Sequence, residues 1–171
     1  MTRSEPLTPE QAYARLADRC AVAEMSTGEA LEKLRRLSVG RADAYRIVQR
    51  LVDERFIDDE RFARSYVRDR LLHARWGLAK IRQSMRQKGI DDAMIDAAVE
   101  AELDERVYFG NLAAALRSKA RSMASPLAYA DKVKLARFAV GRGYEHELVL
   151  EMLADEDYWR RGDDEEDGYA D

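Results

Sequence analysis

The sequence predicts an all-α protein, on the basis of its composition, its helix-start signals and the spacing of its apolar residues. The chain of 171 residues contains only three prolines and nine glycines, and the residues that favour helices, Ala, Leu, Arg and Glu, are abundant. Apolar residues recur at intervals of three and four behind Ser, Thr or Asp residues that are suited to cap helices. We therefore expect a protein built from helices.

Four helix starts are marked by side chains that are suited to capping. They are Thr8, Ser26, Asp58 and Asp91. Gln11 and Glu29 follow the first two by three residues, which is the spacing of a capping box. Around the third start, Ile57 and Phe62 occupy the two positions of a hydrophobic staple. These signals predict where the helices begin and hence which way their faces point.

The predicted helices fall into three groups of three, which we interpret as tandem three-helix-bundle repeats. The chain then divides into a flexible leader at 1–7, a first repeat at 8–55, a basic second repeat at 56–102, a third repeat at 103–155 and an acidic disordered tail at 156–171. Repeats of this kind pack chiefly on their neighbours, which predicts an elongated, curved body.

Two short motifs support the repeat interpretation. The second helices align when Lys33-Leu34, Lys80-Ile81 and Lys134-Leu135 are placed in register, which gives spacings of 47 and 54 residues. Lys88-Gly89-Ile90 likewise matches Arg142-Gly143-Tyr144. Spacings of this size are typical of divergent helical repeats.

The formal net charge of −4 conceals a segregation of charge. Residues 155–171 contain nine acids and two arginines, which leaves 27 basic and 24 acidic residues in 1–154, a net charge of +3. Within that body the segment from Arg61 to Lys88 contains nine basic residues and a single acid, Asp69. A basic segment of this density predicts a polyanionic partner, either nucleic acid or an acidic protein surface.

A simpler explanation of the basic segment is a solvated helix face. Such a face normally mixes both signs, with acids three or four residues from the bases. Here Arg61, Arg64, Arg68 and Arg75 lie on one side of a predicted helix, and Asp69 is the only acid between residues 61 and 88. We expect Tyr66 and Trp76 to be core or hinge residues, although both are able to stack on bases.

The motifs of common enzyme classes are missing from the sequence. There is no phosphate-binding glycine loop, no zinc-protease motif, no paired Cys and no nucleophile elbow. His73 and His146 have no partners at ligand spacing, and Cys20 fits a small core residue. We expect neither catalysis nor a cofactor or metal. With no long apolar run and one Cys, we expect a cytoplasmic protein with no membrane partner. We also expect a monomer.

Three stretches of the sequence resemble the RecX family, the regulators of the bacterial RecA recombinase. They are Phe56-Ile57-Asp58-Asp59-Glu60-Arg61-Phe62-Ala63-Arg64-Ser65-Tyr66-Val67; Gly77 to Ile81 leading to Gln87-Lys88-Gly89-Ile90; and Asp131-Lys132-Val133-Lys134-Leu135-Ala136-Arg137-Phe138 running to Arg142-Gly143-Tyr144. The resemblance covers roughly residues 10–155 and is strongest in the second repeat.

The resemblance implies a non-enzymatic protein that binds the RecA filament on single-stranded DNA and limits recombinase, ATPase and coprotease activity. The residues themselves suggest a weak, salt-dependent contact with phosphates or acidic patches. The candidate contact residues are Arg61, Arg64, Arg68, Arg75, Lys80, Arg82, Arg86, Lys132, Lys134 and Arg137. The alternative is a helical-repeat adaptor that binds proteins without nucleic acid. The sequence leaves open which face meets RecA or DNA, and whether filament ends are capped or the groove is coated.

Overall fold

The computed structural model describes residues 7–161, and within that range every regular element is a helix. The helices are α1 (Pro9–Val22), α2 (Thr27–Arg36), α3 (Arg41–Asp53), α4 (Asp59–Leu72), α5 (Leu78–Gln87), α6 (Asp92–Glu102), α7 (Glu105–Lys119), α8 (Tyr129–Gly141), α9 (His146–Ala154) and α10 (Glu156–Arg161). The predicted all-α class is confirmed. Most of the predicted leader and residues 162–171 of the predicted disordered tail lie outside the described residues.

All four predicted helix caps are present. Each capping oxygen accepts a hydrogen bond from a backbone N–H three residues on: Gln11 to Thr8 (3.3 Å), Glu29 to Ser26 (3.1 Å), Arg61 to Asp58 (3.0 Å) and Met94 to Asp91 (2.9 Å). The reciprocal bonds complete both capping boxes. Local sequence was sufficient here because a cap satisfies backbone donors within a single turn.

The predicted register of the second helices is wrong by one turn in the first repeat. α2, α5 and α8 begin 51 residues apart in each step. At their C-terminal ends, Leu34, Met85 and Ala139 each accept a backbone N–H from five residues on, which aligns Leu34 with Met85 rather than with Ile81. The residues before those donors, Ser38, Gly89 and Gly143, all have positive φ. The matched Lys-apolar pairs suggested a spacing of 47 because buried apolar residues recur every turn, and Ile81, one turn before Met85, is the one that follows a Lys.

The described chain forms two compact units. Unit 1 is Met1–Tyr66 with Ser84–Ala101, and unit 2 is Val67–Gln83 with Glu102–Asp171. Helices α4 and α5 each contribute residues to both units. The predicted limits of three repeats, and the predicted elongated body, stay predictions.

Each unit contains its own apolar core. In unit 1, residues such as Leu16, Leu34 and Leu51 are at most 2% exposed. In unit 2, Leu135 and Trp159 are fully buried. Burial on this scale is the dominant favourable term in folding.

A close contact between a glycine and a helix C-terminus occurs in each unit. In unit 1, Gly28 of α2 lies against Lys88 and Gly89, and in unit 2, Gly77 lies against Gly143. The N–H of Gly77 donates to the carbonyl oxygen of Arg142 at 3.0 Å. A side chain at either Gly28 or Gly77 would overlap backbone atoms, so both contacts require glycine.

The predicted disordered tail began too early, at residue 156. Residues 156–161 form α10, which packs on α7 and α9, and Trp159 is fully buried. The Glu156 carboxylate accepts hydrogen bonds from the N–H of Leu127 (2.9 Å) and from Nε of Arg160 (2.7 Å). The acidic composition led to a prediction of disorder. The burial of one large aromatic ring stabilises the helix by more than the charge of this short segment destabilises it.

Candidate functional site

The ten predicted contact residues divide between the two units. Unit 1 holds Arg61, Arg64 and Arg86, and unit 2 holds Arg68, Arg75, Lys80, Arg82, Lys132, Lys134 and Arg137. Arg64 is exposed on α4, and Arg82 is half-buried on α5.

In unit 1, acids from other segments pair with two of the predicted cations. Arg61 donates from Nε and Nη2 to the two carboxylate oxygens of Glu24 at 2.6 and 3.1 Å, and this bidentate bond raises the pKa of Arg61. Arg86 pairs with Asp92 at 2.6 Å, with both side chains more than half exposed. Sequence spacing identified only Asp69 as an acid within the basic segment. Spacing predicts which residues are neighbours along one helix, but not which residues of other segments pack against them.

In unit 2, Arg68 pairs with a nearly buried acid. Its Nε donates to Oε2 of Glu102 at 2.8 Å, and the Glu102 side chain is 8% exposed whereas that of Arg68 is 57% exposed. Removing the guanidinium would leave a desolvated carboxylate without this partner. Arg68 therefore has a structural task, whatever else it contacts.

Trp76 lies at the turn between α4 and α5, beside two cations. The guanidinium of Arg70 and the ammonium of Lys80 lie 4.9 and 4.2 Å from the centre of its ring. Trp76 is half-buried, which agrees with the predicted hinge position. Cation–π contacts of this kind hold Lys80 against the ring while its charge stays accessible to a partner.

Tyr66 is engaged within unit 1. Its ring stacks on that of Phe62 with centroids 5.7 Å apart, and its hydroxyl lies 2.6 Å from Oγ of Ser84. The side chain is half-buried. These contacts confirm the prediction that Tyr66 belongs to the packing of the fold.

The turn that holds Arg75 and Trp76 is fastened by residues that the sequence did not single out as functional. Nη2 of Arg142 donates to the carbonyl oxygens of Ala74 (3.1 Å) and Arg75 (3.2 Å), and the Tyr144 hydroxyl donates to the latter at 3.2 Å. Arg75 itself has a positive φ of 51°. The sequence signal for these residues was the Arg142-Gly143-Tyr144 motif, which we interpreted only as support for the alignment of the repeats.

Helices α8 and α9 border an open groove of about 520 Å³ in unit 2. Lys132 and Arg137, two predicted contact residues, line it together with apolar side chains. Lys134 lies outside the lining and pairs with Asp131 of the same helix at 2.9 Å. The structure thus brings Lys132 and Arg137 to one feature and separates Lys134 from it.

Four of the predicted cations have no acidic partner among residues 7–161. No carboxylate of that range lies within ion-pair distance of Arg75, Lys80, Lys132 or Arg137, all of which are in unit 2. A cation without an acidic partner has no ion pair to lose when it contacts a phosphate or an external carboxylate.

Residues 7–161 contain neither a candidate metal cluster nor a helix suited to span a membrane. Between residues 7 and 161, no group of three or more His, Cys, Asp or Glu side chains is arranged to hold a metal ion. None of the helices in that part of the chain is both long and apolar enough to cross a membrane. Cys20 is partly buried, and this burial raises the pKa of its thiol.

Comparison with known proteins gives consistent matches. The family model described as "RecX, second three-helix domain" matches residues 58–99. "Regulatory protein RecX" of Salmonella typhi is 32% identical over 156 residues, covering 82% of this chain and 91% of the relative. The protein of the same name from Mycobacterium sp. (strain KMS) is 28% identical, covering 88% of this chain and 84% of the relative.

Two solved structures are also similar. A crystal structure of RecX from Lactobacillus salivarius has a TM-score of 0.74 at 20% identity and covers 88% of this chain and 97% of its own, which shows the shared fold. A second one, of regulatory protein RecX, has a TM-score of 0.76 at 25% identity and covers 86% of this chain and 73% of its own.

Proposed function

The chain belongs to the RecX family of regulatory proteins, and on this premise we propose that it is a non-enzymatic regulator of the RecA recombinase. In this proposal it binds the RecA filament on single-stranded DNA in the cytoplasm, as a monomer, and limits recombinase, ATPase and coprotease activity. Its relatives are named as regulatory proteins, which supports the regulatory part of the proposal.

The observation that supports the polyanionic partner is the set of four cations in unit 2 without an acidic partner in the described range. Arg75, Lys80, Lys132 and Arg137 have no acidic partner within residues 7–161. If each contacts one phosphate of a single strand, the logarithm of the association constant falls with the logarithm of salt concentration with a slope of about −3. The contact is independent of base sequence, because phosphates position a protein without specifying bases.

The ion pairs change how much the other predicted residues contribute. Arg61, Arg68 and Arg86 neutralise Glu24, Glu102 and Asp92, so a polyanion must compete with those carboxylates. An exposed pair is worth only about 0–1 kcal/mol, so Arg86 is able to exchange Asp92 for a phosphate at low cost. Arg68 is the poorer candidate because its acid is nearly buried.

The decisive experiment measures the ATPase activity of RecA on single-stranded DNA with this protein added. We expect the wild-type chain to lower the rate and the double variant Arg75→Glu, Lys80→Glu to lose at least tenfold in inhibitory potency. The matched control is Arg15→Glu, Arg19→Glu on α1, which changes the charge by the same amount at two exposed positions. Equal inhibition by both double variants contradicts the proposed contact.

A helical-repeat adaptor without nucleic-acid contact is the second candidate. The ion pairs of Arg61, Arg68 and Arg86 favour it, because they account for three predicted DNA-contacting residues by internal pairing. Binding to plain single-stranded DNA, titrated at 50 and 200 mM salt, separates the two. An adaptor shows no salt-dependent binding, whereas the proposed regulator does.

The acidic C-terminal segment, residues 162–171, is proposed to compete with DNA for the basic surface. Deleting it is then expected to tighten binding to single-stranded DNA at low salt, because six carboxylates no longer compete with phosphates. An unchanged affinity contradicts this part of the proposal.

A further inference from the structure

Exposed apolar side chains line the groove between α8 and α9. Tyr129, Val140 and Leu150 are 84%, 40% and 50% exposed, and all three line it. On α8 the lining residues recur at intervals of three and four, so they lie on one face of the helix. Exposed apolar side chains clustered in one concavity mark a binding site more often than scattered ones do.

The charged side chains that line the groove all have the same sign. They are Lys132 and Arg137 of α8; His146 of α9 also lines the groove, and no acid does. Beyond its Ala154 end, Asp155, Glu156 and Asp157 border a neighbouring depression. Glu156 is already paired with Arg160. The groove therefore suits an occupant that combines carboxylates with one or two apolar side chains.

We propose that the occupant is the protein's own C-terminal segment, residues 162–171, Gly-Asp-Asp-Glu-Glu-Asp-Gly-Tyr-Ala-Asp. It supplies six carboxylates for the basic rim formed by Lys132 and Arg137, and Tyr169 and Ala170 for the apolar side chains of the groove. The inference is independent of any RecA partner, because it concerns an internal contact of unit 2.

The length of the segment permits this contact. The described chain ends at Arg161, the last residue of α10, and α10 begins two residues after Ala154, which lines the groove. Six helical residues rise about 9 Å, whereas ten extended residues span up to about 33 Å. The segment is thus long enough to return along α10 and reach Lys132 and Arg137.

Covalent attachment makes even a weak contact effective. A short flexible connection gives an effective concentration on the order of 1 mM. If the segment as a separate peptide binds the groove with a Kd of about 0.1 mM, the attached segment is bound about ten times as often as it is free. A competing peptide consequently binds about tenfold more weakly to a chain that has its own acidic segment.

The test uses a fluorescein-labelled peptide of residues 162–171 and the full-length chain in two forms. In the neutral form, the five acids at 163–167 are replaced by Asn and Gln. Fluorescence anisotropy is expected to show about tenfold tighter peptide binding to the neutral form than to the native chain. Affinity for the neutral form is expected to fall severalfold between 50 and 500 mM salt, since the rim contact is electrostatic.

The groove is tested with Leu150→Asp and a matched control, Leu72→Asp, each introduced into the neutral form. Leu72 is 48% exposed, almost the same as Leu150, and does not line the groove. Leu150→Asp is expected to weaken peptide binding at least tenfold and Leu72→Asp less than twofold, with both thermal melting curves matching the parent.

Three results would overturn the proposal. They are no peptide binding to the neutral form, equal affinity for the native and neutral forms, and equal effects of the two Asp variants. Sedimentation that shows a dimer abolished by Leu150→Asp but not by Leu72→Asp makes a second copy the occupant instead, and also overturns it. Loss of RecA inhibition tests the proposed function alone and leaves this result unaffected.

Discussion

Arg68 and Glu102 form an ion pair in which one partner is exposed and the other is almost buried. The guanidinium donates to the carboxylate at 2.8 Å, and Glu102 is 8% exposed. We expect Arg68→Ala to lower the free energy of unfolding by about 1–2 kcal/mol, because it leaves a desolvated acid without this donor; the exposure of Arg68 reduces the full cost of breaking a buried pair. Urea denaturation measures the loss.

Arg86→Ala is the matched control for that experiment. The pair between Arg86 and Asp92 has a similar distance, 2.6 Å, but both side chains are more than half exposed. Its removal is expected to cost no more than about 0.5 kcal/mol. Equal losses for the two variants would show that the burial of Glu102 has no energetic consequence.

Gly77 is expected to tolerate no side chain. A Cβ there would overlap the backbone of Gly143 and Tyr144, and backbone atoms cannot rotate away as a side chain does. We expect Gly77→Ala to destabilise the protein by about 3 kcal/mol, at the upper end for overpacking. Gly110→Ala, in α7 with nothing near its Cβ, is expected to stabilise by up to about 1 kcal/mol. Thermal unfolding of both variants is the measurement, and a small loss for Gly77→Ala contradicts the close contact.

Ser26 has one more hydrogen bond than an ordinary helix cap. Its hydroxyl accepts from the N–H of Glu29 at 3.1 Å and donates to the carbonyl oxygen of Lys88 at 2.7 Å, and the residue is fully buried. We expect Ser26→Ala to cost about 2–3 kcal/mol, since it removes the cap and leaves a part-buried carbonyl without this donor.

Thr8→Ala provides the comparison for Ser26. Thr8 caps α1 with the same box, but its bonds are exposed and local. The expected cost is about 0.5–1 kcal/mol. Chemical denaturation of both variants decides the matter, and a loss at Ser26 no larger than that at Thr8 would mean that the bond to Lys88 adds nothing.

The stability of the protein is expected to fall between pH 10 and pH 12, partly through Tyr144. Burial raises the pKa of Tyr144 to about 12 from an ordinary 10. In this window the unfolded chain loses the phenol proton while the folded chain retains it, so the contribution of Tyr144 is complete below pH 10 and is lost as the pH approaches 12. The slope is on the order of 1 kcal/mol per pH unit.

Tyr144→Phe isolates this contribution. The variant lacks a titrating group, so its stability relative to wild type is expected to be constant from pH 7 to 9 and to improve from pH 10 to 12. Urea denaturation across the range measures the difference. A difference in stability that stays constant up to pH 12 would show that folding does not raise the pKa of the Tyr144 phenol.

Local signals were sufficient for the helices and insufficient for the partners of the cations. Asp58 and Asp91 were identified as caps because a cap involves residues within one turn. Glu24 was not identified as a partner of Arg61, because 37 residues separate them. The absence of nearby acids in the sequence therefore overstated how exposed the positive charge of Arg61 and Arg68 is.

α10 shows the same difference in another form. The acidic composition from residue 156 onward predicted disorder, yet Trp159 is buried and Glu156 accepts the N–H of Leu127 from a distant loop. Composition describes the average residue of a segment. Whether one aromatic side chain is buried depends instead on the space left between the packed helices.

By itself, the sequence determined the helical class, the caps at Thr8, Ser26, Asp58 and Asp91, and the family, because these depend on neighbours within a turn or on motifs in order. Only the tertiary structure decided which cations are paired, that Gly77 must lie against Gly143, and that Lys132 and Arg137 line one apolar groove. The reason is physical: pairing, close approach and burial join residues distant along the chain, and their partners are known only once the helices have packed.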